Sequence, residues 1–307
     1  MPVFTVFTPT YNRAHTLHRC YESLLAQTFR DFEWLIVDDG SSDNTAEIVS
    51  RWMAEGKLDI RYEPRPHLGA HHVCNRSLEL ARGTLWIKLD SDDGFTPEAL
   101  ERLWHHWNAI PELKRKGFSG VTGLCRNQDG VLVGTRFPQD ELDCTSAELE
   151  YIHKVCGDKS GCVLADIVRQ YRYPEDVPGN FIPESYIWSQ VAQHYKTRHI
   201  NEYILVNWTD APSLTRGRSN PFINAAGHRL MFKGALDTET HFFWAAPLRV
   251  LRAAVQYSRF CFLLGLDPVR QVMDLKSGPG RLLWLVGMPP GLLLYLRDRL
   301  RFPQGQK

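Results

Sequence analysis

Read as a pattern of apolar and polar positions, the first hundred residues alternate between two periods. Residues 3–8 (VFTVFT), 33–37 (EWLIV), 58–62 and 84–89 (TLWIKL) are short runs rich in β-branched and aromatic residues and bounded by turn residues. Such runs predict buried strands. Between them the apolar positions fall three and four apart. Leu17, Cys20, Leu24 and Leu25 mark one helix, and Ala46, Ile48, Val49 and Trp52 a second, which Asp43 or Ser42 can cap. A third helix is expected over 68–81, stopped by Gly83. Strands alternating with helices predict an α/β fold whose central sheet is parallel or mostly parallel and covered on both faces. Ligands of such sheets gather at the C-terminal ends of the strands.

Beyond Pro97 the pattern loosens. A helix is expected over 97–107 and a strand over 118–124, followed by a hairpin across 125–136 that turns at Asp129-Gly130. From 145 to 206 helices mix with short strands. The tail is different again. Residues 242–264 are apolar and aromatic, with Arg249, Arg252, Gln256 and Arg259 on a narrow helical arc. Residues 282–296 (LLWLVGMPPGLLLYL) carry no charge, between Arg281 on one side and Arg297, Arg299 and Arg301 on the other. This run is shorter than the roughly 20 residues that a straight span requires, and Pro289-Pro290-Gly291 is expected to break it. An interfacial or re-entrant segment anchored by arginines is the expectation, with a buried helical hairpin or an oligomer contact as the alternative.

Composition narrows the classes. With 307 residues, 43% hydrophobic and 23% charged, the chain has an ordinary globular balance. A formal net charge of +1 gives no global attraction to nucleic acid, and no nucleic-acid partner is expected. Seven cysteines, an odd number without a CxxC pair, favour free thiols in a reducing compartment. The opening MPVFTVFTPTYNR lacks a basic start and a long apolar stretch, so no signal peptide is read there. The expected location is cytoplasmic, peripheral at the inner face of the membrane.

Three strand ends carry the candidate chemistry: Thr8-Pro9-Thr10-Tyr11-Asn12-Arg13, Asp38-Asp39, and Asp90-Ser91-Asp92-Asp93. If the strands are parallel, all three lie on one sheet edge. Crowded carboxylates repel one another, and a hard divalent ion with oxygen ligands relieves the repulsion. Continued strand geometry would put Asp90 and Asp92 on one side and turn Asp93 elsewhere. Turn and cap chemistry is the alternative for the acidic cluster and for Asp38-Asp39 alike. A carboxylate at Asp38 or Asp39 can accept several hydrogen bonds from a base or a ribose. No GxGxxG and no Walker loop follows the first strand, which disfavours a dinucleotide-binding site and a P-loop enzyme.

The stretch VFTPTYNRAHTLHRCYESLLAQTFRDFEWLIVDDGSSDNT resembles the opening of the family 2 glycosyltransferases. HLGAHHVCNRSLELARGTLWIKLDSDDGFTPEAL, from His67, is similar to that family's next block, which ends in its DxD-type motif. The likeness covers residues 3–110 closely and 155–206 more weakly. It implies a GT-A fold, a nucleotide diphosphate sugar donor with UDP the most frequent choice, and inversion at the anomeric carbon. It also implies that Thr8, Pro9, Tyr11 and Arg13 line the nucleotide pocket, Asp39 meets the base, and Asp38 supports the loop. Asp90 and Ser91 would bind the nucleotide sugar, with Asp90 near the ribose or diphosphate. Asp92 would be the leading ligand of a divalent cation, Mn2+ or Mg2+, with Asp93 the competing one. His71 and His72 are read as packing or surface residues, and Asn75 receives no contact. For the catalytic base, Pro183-Glu184-Ser185 is the best match to the family's acidic pair at a helix start, although its second position is Ser. Asp158 is the rival, and Glu175 and Asp176 are weaker ones.

The expected organisation is 1–110 for the donor half of the GT-A domain, 111–235 for the acceptor half, and 236–307 for a helical, apolar C-terminal extension. The expected activity is metal-assisted, inverting transfer of a sugar to a hydroxyl of a glycan or lipid-linked acceptor, in cell-surface polysaccharide or lipopolysaccharide synthesis. Peripheral membrane contact through the C-terminal segment is expected with it. A nucleotidyltransferase of related fold is disfavoured by the absence of glycine from TPTYNRAHT, and an inactive binding protein by the retention of Asp90, Asp92 and Asp93. No QxxRW-type motif of processive synthases is found, which favours one sugar added per encounter.

Overall fold

The computed structural model describes residues 1–210 and 220–303. In chain order the elements are β1 (Phe4–Thr10), α1 (His18–Leu25), β2 (Phe32–Asp38), α2 (Thr45–Glu55), β3 (Ile60–Pro64), α3 (Ala70–Leu80), β4 (Leu85–Lys88), β5 (Gly94–Phe95) and α4 (Ala99–Ala109). There follow α5 (Glu112–Arg115), β6 (Phe118–Asn127), β7 (Glu141–Cys144), α6 (Ser146–Tyr151), β8 (Lys159–Leu164), α7 (Ala165–Val168), α8 (Ser185–Val191) and β9 (Lys196–Asn207). The remainder is helical: α9 (Ala225–Thr238), α10 (Pro247–Leu263), α11 (Pro268–Asp274) and α12 (Gly278–Arg301). The described residues divide into two compact units, the first built from 1–146, 153–172 and 194–210, the second from 147–152, 173–193 and 220–303. Residues 1–110 thus fall wholly in the first unit, 111–235 are shared between the two, and 236–303 belong to the second. Residues 304–307 of the expected extension lie outside the described residues.

The first unit is an α/β fold around a sheet ordered β3-β2-β1-β4-β8-β6-β9-β5, with β7 also paired to β9. All seven positions of β2 are buried, as a central strand covered on both faces requires. Phe4, Leu24, Trp34, Leu85, Ile87 and Leu100 are fully buried in the core beside it. The parallel character is more restricted than the sequence pattern implies. β3-β2-β1-β4 are parallel, as are β6 and β9, but β8 runs against both of its neighbours. Alternation of apolar and polar positions fixes which face a side chain takes and says nothing of strand direction.

Local chemistry sets the element ends. The Asp43 carboxylate accepts from the backbone N–H of Thr45 at 3.1 Å and from its hydroxyl just ahead of α2, whose N-cap position is Asn44 rather than the expected Asp43 or Ser42. Gly56, at φ +62°, closes that helix in the left-handed conformation. β1 extends through Pro9 and Thr10, where a loop is expected, because Thr10 still pairs with Asp38. The turn at Asp129-Gly130 forms, with Gly130 at φ +82° and a single antiparallel bridge between Arg126 and Leu132.

In the second unit α10 and α12 pack closely through small residues. A Cβ on Gly287 would lie 2.6 Å from the Cβ of Ala254, and one on Gly291 would lie 2.7 Å from that of Ser258. Behind this contact is a polar seam. The Trp284 indole and the Ser258 hydroxyl both donate to the Gln271 amide oxygen, at 3.0 and 2.7 Å. Arg259 pairs with buried Asp298, and Arg249 with Glu150 at 2.7 Å. The expected break at Pro289-Pro290-Gly291 does not occur: α12 continues through both prolines as one helix of 24 residues. Contacts with α10 on either side hold the helix where proline removes two backbone donors. No helix among the described residues is long and apolar enough to cross a membrane.

Candidate active site

Because β2, β1 and β4 are parallel neighbours, the loops that follow them leave the sheet at one edge. Hydrogen bonds then lock the loops together. The backbone N–H of Asn12 donates to Ser41 Oγ at 2.8 Å, and Asn12 Oδ1 accepts from the backbone N–H of Ser42 at 2.8 Å. Asn12 takes φ +52° to do so, a strained value that its short polar side chain tolerates. Arg13 reaches the third loop, with its guanidinium 3.8 Å from the Asp92 carboxylate.

Asp38 and Asp39 do different work. Asp38 is buried and accepts from the backbone N–H of Ser41 at 2.8 Å and from the Tyr62 hydroxyl, so it fixes the turn. Asp39 accepts from the backbone N–H groups of Leu68, at 2.8 Å, and Gly69, at 3.0 Å, at the start of α3. Those orphan donors and the helix dipole both favour a carboxylate there. The His67 ring lies 2.9 Å from the same carboxylate and stacks on Tyr11, with centroids 4.2 Å apart at 21°. Tyr11 is exposed, so this pair presents an aromatic surface at the sheet edge.

Thr8 is fully buried, and its hydroxyl accepts from the Trp34 indole at 2.9 Å. Pro9 is half-buried beside it. The acidic run does not continue the strand. The backbone N–H of Asp93 donates to the Asp90 carbonyl at 3.0 Å, closing a turn, and the expected two-residue alternation ends with it. Asp90 stays half-exposed, 2.7 Å from the Lys88 amine, and Ser91 is buried. Asp93 is also buried, accepting from the Asn207 side-chain amide at 2.8 Å and from the Trp208 backbone N–H at 3.1 Å. Burial, and then the charges of Asp90 and Asp92, push its carboxyl up to about 7. Burial raises Asp92 as well, opposed by Arg13 and helped by Asp90. Burial is the first cause in both, and the neighbouring carboxylates add to it; a bound cation would relieve that repulsion, and the carboxylate oxygens of Asp90 and Asp92 are of the kind a hard divalent ion takes. No group of three or more His, Cys, Asp or Glu side chains converges as a metal cage among the described residues. Sites that share a cation with phosphate oxygens need only one or two carboxylates.

The strands bring in residues that the sequence does not single out. Arg19, on α1, forms a two-pronged pair with Asp210 at 2.9 and 2.7 Å, and its guanidinium lies over the Trp208 ring at 5.1 Å. The Cys20 thiol sits 3.2 and 3.3 Å from the carbonyls of Asp90 and Asp93, under the acidic turn. Asn207 ends the last strand of the unit and Trp208 and Asp210 follow it, over a hundred positions from Asp93, and they carry no local signal beyond a polar strand end. Asp158 immediately precedes β8. The pairing of Cys162 with Ile87 brings that start of β8 to the edge where β4 delivers Asp90. Glu184 occupies the N-cap position of α8, in the second unit, at the helix start expected for it. Glu175 and Asp176 also belong to the second unit. His71 and Asn75 are buried on α3, and the rings of His71 and His72 are 4.4 Å apart.

The family model described as Glycosyl transferase family 2 matches residues 5–143, which hold the three loops and the acidic turn. These residues belong to glycosyl transferase family 2. Among relatives of this family domain, an uncharacterised protein of Mycobacterium tuberculosis, MT1568, is 40% identical over 102 residues, covering 33% of this chain and 31% of that protein. The chondroitin synthase of Pasteurella multocida is 35% identical over 144 residues, covering 46% of this chain and 14% of that protein. The chain therefore spans about a third or less of the length of these curated relatives. A solved structure of S. aureus TarS 1-349 in complex with UDP-GlcNAc shares the fold, with a TM-score of 0.65 and 19% identity over 99% of this chain and 92% of that one. The GT-A fold expected from the family resemblance is thereby shown.

Proposed function

We propose that the protein transfers a sugar from a nucleotide diphosphate sugar to a hydroxyl of a glycan or lipid-linked acceptor, with inversion, in cell-surface polysaccharide or lipopolysaccharide synthesis. The observation that carries this reading is the meeting of Arg13 and Asp92 across two loops whose third partner, after β2, carries Asp39. A basic group, a partly buried carboxylate and an aromatic surface along one sheet edge match the chemistry of a base, a ribose and a diphosphate. The P. multocida chondroitin synthase and the UDP-GlcNAc complex of TarS lend further support.

In this mechanism the exposed Tyr11–His67 stack offers a face to the base, and Asp39, already poised by the α3 N-terminus, offers its remaining lone pairs to the base or ribose. Arg13 draws in the diphosphate. Asp92 would hold a divalent cation, Mn2+ or Mg2+, which when bound supplies positive charge toward the leaving diphosphate. Asp93, whose two oxygens already accept from Asn207 and Trp208, holds the turn that aims Asp92. Glu184 takes the acceptor proton as the acceptor oxygen attacks the anomeric carbon, and Asp158 is the alternative base. UDP is the favoured donor nucleotide.

Isothermal titration of nucleotide with and without manganese, followed by a donor-sugar screen for hydrolysis and transfer, tests the reading. Manganese-dependent nucleotide binding together with turnover of one donor supports it. Absence of binding under both conditions would remove it. Transfer by Glu184→Gln at the wild-type rate moves the base to Asp158.

A further inference from the structure

The solvent face of α12 is the apolar one. Leu282, Leu285, Val286, Leu293, Leu296 and Leu300 are all exposed, from 47% for Leu296 to 85% for Leu300. At helical spacing these six positions fall within an arc of about 100°, and the arc runs along the helix for about 27 Å. The opposite face, with Gly280, Trp284, Gly287, Gly291 and Asp298, is the buried one. A helix on the surface of a water-soluble unit normally has these faces reversed, so the stripe requires a partner.

Charge identifies the partner. Arg281, Arg297, Arg299 and Arg301 are all exposed and lie on the two flanks of the stripe. Arg281 and Arg299 donate to neutral oxygens, the Leu275 carbonyl and the Tyr295 hydroxyl, and so keep their charge available. The one acidic residue of α12, Asp298, is buried and paired with Arg259, although Arg297 also lies 3.8 Å from it. A second copy of the chain is a poor occupant. Docking stripe to stripe, parallel or antiparallel, sets arginines against arginines with no exposed carboxylate on the helix to receive them. We infer that α12 lies in the plane of an anionic lipid surface, its leucines entering the headgroup–acyl boundary and its arginines pairing with lipid phosphates. This holds whatever sugar the first unit handles. It also gives the apolar run a role along a bilayer, with none across it.

The test is flotation of the full chain with vesicles of phosphatidylcholine alone and of phosphatidylcholine mixed with phosphatidylglycerol. Wild type is expected to float with the mixed vesicles and to bind the neutral ones far more weakly. Leu285→Gln with Leu293→Gln is expected to lower binding at least about tenfold, since each leucine contributes apolar area to the boundary. Arg297→Gln, Arg299→Gln and Arg301→Gln together are expected to lower binding to mixed vesicles about a hundredfold, at about fivefold per arginine, with little change on neutral ones. Melting curves of the variants check the fold. If the leucine pair melts early, Leu282→Gln with Leu300→Gln replaces it. Wild type that stays unbound to mixed vesicles overturns the inference. So does binding that none of these variants weakens, or a stable dimer in light scattering that the leucine pair dissolves.

Discussion

Asn207 donates its side-chain amide to Asp93 at 2.8 Å, and this bond ties the last residue of β9 to the turn after β4. Asp93 is buried, and its carboxyl already stands at about 7. Asn207→Leu leaves that carboxyl short of a donor, which costs about 1–3 kcal/mol. A lowered melting temperature is expected, together with weaker nucleotide binding because the turn that carries Asp92 loosens. Asn207→Asp, which sets a third carboxylate against Asp93 beside Asp90 and Asp92, is expected to be worse than Asn207→Leu in calorimetry. Equal stability of Asn207→Leu and wild type would mean that the Trp208 backbone N–H suffices.

Asp92→Asn keeps the size of the side chain and removes its charge. Turnover of the donor sugar is expected to fall at least about a hundredfold with the fold retained. A single-turnover assay at saturating donor separates this from weaker binding. A rate within severalfold of wild type would take Asp92 out of the mechanism.

Asp39→Ala takes the carboxylate away from the N–H groups of Leu68 and Gly69. Loss of such a cap costs about 0.5–2 kcal/mol. Nucleotide affinity is expected to fall more than stability does, because the α3 N-terminus and the Tyr11–His67 stack lose their common anchor. Titration calorimetry alongside thermal melting distinguishes the two effects.

Gly287→Ala probes the helix pair of the second unit. Its new methyl would stand 2.6 Å from the Ala254 Cβ, so α10 and α12 must separate. Overpacking of this kind costs about 1–3 kcal/mol. Gly278→Ala, at a position where a Cβ meets nothing within 4 Å, is the control and is expected to leave melting unchanged.

Glu202 predicts an acid dependence. Arg102 donates to it through two nitrogens, each at 2.7 Å, and His106 Nε2 lies 2.9 Å away. The Arg102 bonds, against partial burial and with help from His106, draw the carboxyl down to about 2. An unfolded Glu titrates near about 4.3. The folded value is the lower one, so this stabilisation is fully present above about pH 4.3 and is lost as pH falls toward 2. Glu202→Gln is expected to flatten the fall in melting temperature over that window. An unchanged slope would assign the acid response to other carboxyls.

Hydrophobic periodicity was enough to read β1 to β4 and the helices between them, because a strand buried on both faces and an amphipathic helix each leave a local pattern in the chain. The acidic run, though not its turn, the Asp38-Asp39 pair and the family resemblance stand out for the same reason: their signals are short and contiguous. The direction of β8, the pairing of Asn207 with Asp93, the stack of His67 on Tyr11 and the burial of Thr8 against Trp34 do not. Each joins residues far apart in the chain, and no local pattern specifies a long-range partner. The tail divides in the same way. Its apolar run and flanking arginines are plain in the sequence. That α12 passes unbroken through Pro289 and Pro290, and turns its glycines inward and its leucines out, depended on how closely α10 could approach it.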